Sequence, residues 1–434
     1  MAEDKKPTSP NSPDPSRPDG DPAAAFRHAH AGDKTRKRGA SKPGLLDVHR
    51  ILAFGEPWAG VLAFDEFAGR IVKRKLPPFA GASLGEWSDV DDTRTLMWIS
   101  SNFGFQPQEK DLVRAVDAAA QDCSFHEVRD YLKGLEWDGT PRLATWLIDC
   151  LGAKDEEYAR IVAVRWMVSA VARVMKPGCK ADYVMILVGP QGEGKSTVLS
   201  VLAGGWFTDA PIRFGDKETA MLIRGKWIVE LAELDSFSRA ENSASKSFFS
   251  TFIDRFRAPW GRRPADVPRQ CVFAGTVNHF TFLKDDSGNR RYWPIEVGAL
   301  RLDLLRAQRD QLWAEAFHLF NSGQIWWPRP EEKSLFEDVQ ERHYIGDAWE
   351  PMVARWVAEK LALEPTHEFT TTEVMSECLK LDTRAMDRTA QSRVGPLLQR
   401  LGLKHKRSGV VGADGKRPYL YVKEREPGED KVEL

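Results

Sequence analysis

The sequence has little of what would take it across a membrane, staple it with disulfides or coat a polyanion by bulk charge. No apolar run reaches about 18 residues, so no membrane span is expected. The first residues are polar and rich in proline, with no apolar signal core, so export is not expected either. The five cysteines, Cys123, Cys150, Cys179, Cys271 and Cys378, include no C-x-x-C pair, and their number is odd. A disulfide framework and a zinc ribbon are therefore both unsupported, and scattered thiols in a reducing cytoplasm are expected. Charge of one sign is missing as well: 62 Lys and Arg against 63 Asp and Glu leave a formal net charge of −1. Any contact with nucleic acid must come from local basic patches.

What is present is enough apolar residue for real cores, 42% of 434 residues, and length for about two to four domains. Residues 1–43 carry Pro, Asp, Ala, Gly, Lys and Arg with almost no large apolar side chains, which reads as a disordered tail. Residues 44–90 form a small mixed region, with short strands around turns expected at Gly60–Asp65 and Gly69–Val72. Residues 91–180 read as a helical module. Ile161, Val164, Val168 and Val171 recur at helical spacing until Pro177-Gly178 stops the helix. Residues 181–347 alternate strands with helices, the pattern of a parallel, doubly wound α/β sheet. Residues 348–424 show three helices and then a basic hairpin, which suggests a winged helix-turn-helix, and 425–434 form an acidic tail.

The most specific feature is Gly189-Pro190-Gln191-Gly192-Glu193-Gly194-Lys195-Ser196, followed by Thr197. It satisfies G-x-x-x-x-G-K-[ST], a P-loop, between a continuous apolar strand and a helix. The glycines let backbone N–H groups turn inward toward phosphate oxygens, and the helix adds its positive end. Lys195 is expected to reach the β and γ phosphates of ATP. Ser196 is expected to give its hydroxyl to Mg²⁺, and Thr197 to meet the α phosphate.

Hydrolysis needs a carboxylate near the metal and a group that orients water. Glu230 ends the apolar strand Trp227-Ile228-Val229, and Glu233 lies just beyond; either can take either role. Asn278, after the next strand, suits a γ-phosphate sensor. Arg290 and Arg291 in Gly288-Asn289-Arg290-Arg291 suit recognition of an anion, including one held by a neighbouring subunit. Arg257, Arg262 and Arg263 are interleaved with Phe256 and Trp260, as in a loop that binds single strands. Lys404, Lys406 and Arg407 give the C-terminal hairpin a basic face suited to DNA phosphates.

In order, the P-loop, acidic strand, basic-aromatic loop, Asn sensor and Gly-Asn-Arg-Arg resemble the virulence-associated E family, phage and mobile-island proteins with a superfamily 3 helicase-like ATPase. Phe125-His126-Glu127-Val128-Arg129-Asp130-Tyr131-Leu132 and Trp137-Asp138-Gly139-Thr140-Pro141-Arg142-Leu143 extend the resemblance, which covers roughly residues 90–300. It implies an AAA+-like P-loop NTPase in a bacterial host cytoplasm, assembled as a homo-hexamer that hydrolyses ATP between subunits. Lys195, Ser196, Glu230, Glu233 and Asn278 would act in cis, and Arg290 or Arg291 in trans. Arg257, Arg262 and Arg263 would project toward DNA in the channel, and translocation would run 3′ to 5′. Many relatives carry a primase module; no carboxylate pair or zinc site supports one here, so priming would fall to a separate primase. The leading expectation is thus an ATP-dependent DNA helicase or translocase for phage or mobile-element replication. The alternative is a nucleotide-dependent DNA-binding regulator without processive unwinding.

Overall fold

The computed structural model describes residues 43–232, 239–257, 263–283, 289–407 and 419–423. Strands β1 (Leu62–Asp65), β2 (Arg70–Lys73), β3 (Gly85–Glu86) and β4 (Ser124–Phe125) form one sheet in the order β3-β2-β1-β4. β1 and β2 pair antiparallel, whereas β4 pairs parallel to β1. That pairing draws the helix Glu109–Gln121 back onto the sheet. Val48, Leu52, Trp58, Ile99, Leu112 and Val116 consequently share one core. The expected boundary at residue 90 falls inside this core, because helical periodicity marks an apolar face without saying which sheet covers it. Lys73 and Asp91 are buried in this unit as an ion pair, Nζ to Oδ2, at 2.5 Å. Burial opposes the ionisation of Asp91, but hydrogen bonds from Lys73 and Ser88 outweigh it and hold the carboxyl below its ordinary range.

The central sheet is built from β5 (Val184–Val188), β6 (Phe207–Thr208), β7 (Ile228–Leu231), β10 (Val272–Val277) and β11 (Tyr292–Glu296). Its order is β11-β5-β10-β7-β6, and every pairing is parallel. A short antiparallel hairpin, β8 (Ile253–Phe256) with β9 (Ala265–Pro268), intervenes in the chain between β7 and β10. All five residues of β5 are buried. Met185 and Leu187 join the core formed with the helices Glu157–Met175, Lys195–Ala203 and Leu302–Asn321, while Val184, Ile186 and Val188 face a second core with Phe249 and Phe273. Coverage of both faces is why this strand reads as an unbroken apolar run.

Buried tryptophans tie helices to the sheet, and one helix to another, through their N–H groups. Trp166 Nε1 donates to the Phe273 carbonyl (3.1 Å), Trp227 Nε1 to that of Ala170 (2.9 Å) and Trp313 Nε1 to that of Leu202 (2.9 Å). The residues expected as one helical module therefore serve two cores. Ile99 and Leu112 belong to the N-terminal one, and Val128 to Val174 pack on the central sheet.

Beyond the helix Lys333–Arg342, the helices Glu350–Leu363 and Arg388–Arg400 pack with the turn Val374–Cys378 against an antiparallel ribbon, β12 (Leu403–Arg407) and β13 (Tyr419–Lys423). Val353, Phe369, Val394, Leu398 and Tyr421 form its core. Gly395 permits a close approach, since a Cβ there would lie 2.8 Å from the Tyr421 hydroxyl. Arg393 clamps Asp347 through Nη2, at 2.6 Å, and Arg400 reaches Glu350 at 3.3 Å.

Candidate active site

The C-terminal ends of the parallel strands carry the loop that the sequence singles out. It runs from Gly189, after β5, to Gly194, which stands before the helix Lys195–Ala203. Gly192 and Gly194 have φ of +85° and +91°, a left-handed backbone that disfavours any side chain. Gly189 is needed for space instead: a Cβ there would lie 2.8 Å from Val297 Cγ2. Pro190, Gln191, Gly192 and Glu193 are exposed along the outside of the loop. Thr197 is half-buried at the start of the helix.

Lys195 is buried beneath the loop. Its ammonium donates to the carbonyls of Gly189 and Pro190, both at 2.6 Å, and to Asn278 Oδ1 at 3.1 Å. Asn278 follows β10, so the two residues meet although 83 positions separate them. Ser196 Oγ donates to Glu230 Oε1 at 2.6 Å, and Thr276 Oγ1 donates to the same oxygen at 2.8 Å. Glu230 is only 1% exposed, and its Oε2 has no hydrogen-bond partner among the described residues. A buried carboxylate with one oxygen unpaired beside a hydroxyl suits a hydrated divalent cation, so Mg²⁺ fits this donor set.

Glu233 lies outside the described residues, as does Arg262. Lys195, Ser196, Glu230 and Asn278 are brought together at one end of the sheet. Arg290 and Arg291 are not. They form a 3-10 turn that leads directly into β11, at the opposite end. Tyr292 is in register with Val184 and Glu296 with Val188. The arginines therefore stand beside the start of β5, while the loop follows its end. At about 3.3 Å per residue the separation is about 20 Å, beyond an arginine's reach.

The two arginines also differ. Arg291 is half-buried, donates to Ser250 Oγ through Nε (3.2 Å) and Nη2 (2.9 Å), and lies 3.8 Å from Asp182. Arg290 is exposed and has no ion-pair partner among the described residues. Sequence reasoning missed β11 itself, since Pro294 sits in its middle. The strand borders the sheet, where proline is tolerated.

Of the basic-aromatic segment, Arg255 and Phe256 belong to β8, Arg257 and Arg263 flank the paired strands, and residues 258–262 lie outside the described residues. Arg257 and Arg263 are exposed at the ends of the described stretch. Arg269, at the base, is structural: it is buried and donates through Nε to Asp254 at 2.9 Å. Lys404, Lys406 and Arg407 are exposed on β12; Lys406 pairs with Glu368 at 2.5 Å, and Arg407 lies 5.8 Å from the ring centre of Tyr419.

The Trp137-Asp138-Gly139-Thr140-Pro141-Arg142 segment is a clip. Trp137 Nε1 donates to the Thr140 carbonyl at 3.1 Å, and Arg142 holds Asp138 at 2.7 Å. Glu315, on the helix Leu302–Asn321, accepts the N–H groups of Arg142 (2.7 Å) and Leu143 (2.8 Å). His126 starts the helix Glu127–Gly134: its Nδ1 accepts the Arg129 N–H at 3.2 Å and its Nε2 meets Gln270 Oε1 at 2.8 Å. Burial pushes its pKa down.

Residues 132–345 match the family model described as the virulence-associated protein E-like domain. Among solved structures, the chain is similar to the apo structure of the NrS-1 C-terminal region at 11% identity and a TM-score of 0.48, over 88% of this chain and 100% of that one. A second apo structure of the same region, its A form, is 13% identical with a TM-score of 0.45, again over 88% of this chain and 100% of that one. No curated protein matches. Among the described residues, no helix is long and apolar enough to cross a membrane.

Proposed function

We propose that the chain is a P-loop ATPase of AAA+-like fold that acts on DNA as a helicase or translocase in the replication of a phage or mobile element. The observation that carries the reading is the Glu230 carboxylate. It is buried beside the glycine loop, bonded to the Ser196 hydroxyl and left with one oxygen unpaired. The family match at residues 132–345 supports it, because that stretch holds the whole constellation.

In this reading the loop N–H groups hold the ATP phosphates, and Lys195 turns from the loop carbonyls to the β and γ oxygens. Ser196 and Glu230 hold Mg²⁺, which draws charge from those oxygens. Glu230 is fixed by Ser196 and Thr276, so water orientation falls to Glu233. Asn278, linked to Lys195, senses the γ phosphate. Water attacks the γ phosphorus, the bond to the β–γ bridging oxygen breaks, and ADP and inorganic phosphate leave.

Arg290 stands at the far end of the sheet and serves the nucleotide of the next copy; Arg291 anchors its turn. A surface at one end of the sheet meeting a different surface at the other is a head-to-tail contact, which closes into a ring where the rotation between copies allows it. The hexamer is proposed from that contact together with the family resemblance. Arg257 and Arg263 beside the hairpin strands, with Arg262 next to Arg263 in sequence, and Lys404, Lys406 and Arg407 on a winged-helix ribbon, are the DNA contacts. Priming belongs to a separate primase. DNA-stimulated ATP turnover by the full chain, in a ring-sized assembly, is the test.

A further inference from the structure

Beside Arg290 lies a cavity of about 830 Å³, bordered by the start of β5, the 3-10 turn, the segment Trp327–Pro330 and the helix Lys333–Arg342. Its size is that of a small-molecule site. Aromatic rings, four cations and two carboxylates, Glu337 and Glu341, line it. The rings are Tyr183, Trp327 and Phe336, and the cations are Arg290, Arg329, Lys333 and Arg400.

The aromatic planes are held in place. Tyr183 stacks on the buried Trp293, with ring centres 4.5 Å apart and planes 18° from parallel. Trp327 is 46% exposed, unusual for so large an apolar side chain. It packs edge-on against Trp326 at 5.0 Å, and Trp326 Nε1 is fastened to the Lys180 carbonyl at 2.7 Å. An exposed ring on a fixed support is a surface for stacking.

The charges do not cancel within the cavity. Lys333 is paired with Glu337 at 3.4 Å, and Arg400 is paired with Glu341. The nearby Glu332 is committed to Arg165. These pairs leave Arg290 and Arg329 without a carboxylate partner among the described residues, both exposed and both lining the same space. Prolines on either side of Arg329 restrict its backbone and keep it there.

We propose that this cavity binds a nucleoside phosphate, its base against Tyr183 and Trp327 and its phosphate on Arg290 and Arg329. Two sources share that chemistry. One is the nucleotide held on the loop of a neighbouring copy, which rests on the trans reading of Arg290. The other is a single strand of DNA, which does not need that reading.

The test is photolabelling of the full chain with two probes: an azidoadenine analogue of ATP with Mg²⁺, and an oligothymidylate that carries thiothymidine. The expected result is attachment within residues 325–341, reduced at least tenfold in Arg329→Ala and in Trp327→Ala. Both side chains are exposed, so melting temperature should not move. Attachment of the ATP analogue that disappears in Lys195→Ala identifies the neighbour's nucleotide. Attachment of the oligonucleotide that survives Lys195→Ala identifies a strand. No attachment in this segment with either probe, or attachment indifferent to Arg329, overturns the proposal. The ATPase reading, which is judged by turnover, would stand after that failure. Loss of turnover in the wild type with attachment retained would mark the opposite case.

Discussion

Lys195 donates a 3.1 Å hydrogen bond to Asn278, across the gap between the end of β5 and the end of β10. With the Gly189 and Pro190 carbonyls it completes a resting place for the ammonium; on the proposed ATPase reading, a γ phosphate draws it from there. Lys195→Ala is expected to lower ATP turnover at least about 100-fold, the scale of losing one group that stabilises transition-state charge. Asn278→Ala should lower turnover while nucleotide binding, measured by a fluorescent analogue, stays within about threefold, because only the γ-phosphate contact is lost.

Arg290 and Arg291 should separate cleanly. Arg290→Ala should abolish turnover without a change in melting temperature, and mixing it with Lys195→Ala chains should restore part of the activity. Arg291→Ala should lower stability by about 1–3 kcal/mol, since Ser250 and Asp182 lose their half-buried partner. Equal melting temperatures for the two variants, with rescue by mixing only for Arg291→Ala, would reverse the assignment.

The Lys73–Asp91 pair makes the N-terminal unit sensitive to a single truncation. Lys73→Ala leaves a buried carboxylate without its cation and should cost about 3–5 kcal/mol in urea unfolding. Exposed Lys75→Ala, with a single bond to the Ala59 carbonyl at 2.9 Å, should cost under about 1 kcal/mol.

His126 gives the fold an acid limit. Its buried imidazole keeps Nδ1 free of a proton to accept the Arg129 N–H, and burial lowers its pKa below the ordinary 6.5. The unfolded chain therefore takes up a proton at a higher pH than the folded one, and stability falls as pH drops below about 6.5. His343, also lowered by burial, adds in the same direction. Melting temperature should fall between about pH 7 and about pH 5, and His126→Asn should flatten that slope in part, since Asn can still start a helix. An unchanged slope would remove His126 from the account.

Much of this site is legible in the sequence, for physical reasons that name their own limits. A strand covered on both faces writes itself as Val184–Val188, and the glycine spacing after it has few other uses. β11 was hidden by Pro294, which only a border strand accepts. β8 and β9 were hidden because Asp254, Arg255 and Asp266 on an exposed hairpin carry no apolar alternation. The difference between Arg290 and Arg291 lies in Ser250 and Asp182, remote in sequence and near only in the fold. The two cores of the helical stretch depend on β4, two residues long, and no pattern of that length can be read.

The central claim is tested most directly by ATP hydrolysis with and without single-stranded DNA, with mass by light scattering in the presence of nucleotide. The account predicts Mg²⁺-dependent turnover, several-fold stimulation by DNA and a ring-sized assembly. Turnover indifferent to DNA in a monomer or dimer would contradict it and leave a nucleotide-dependent DNA-binding regulator in its place.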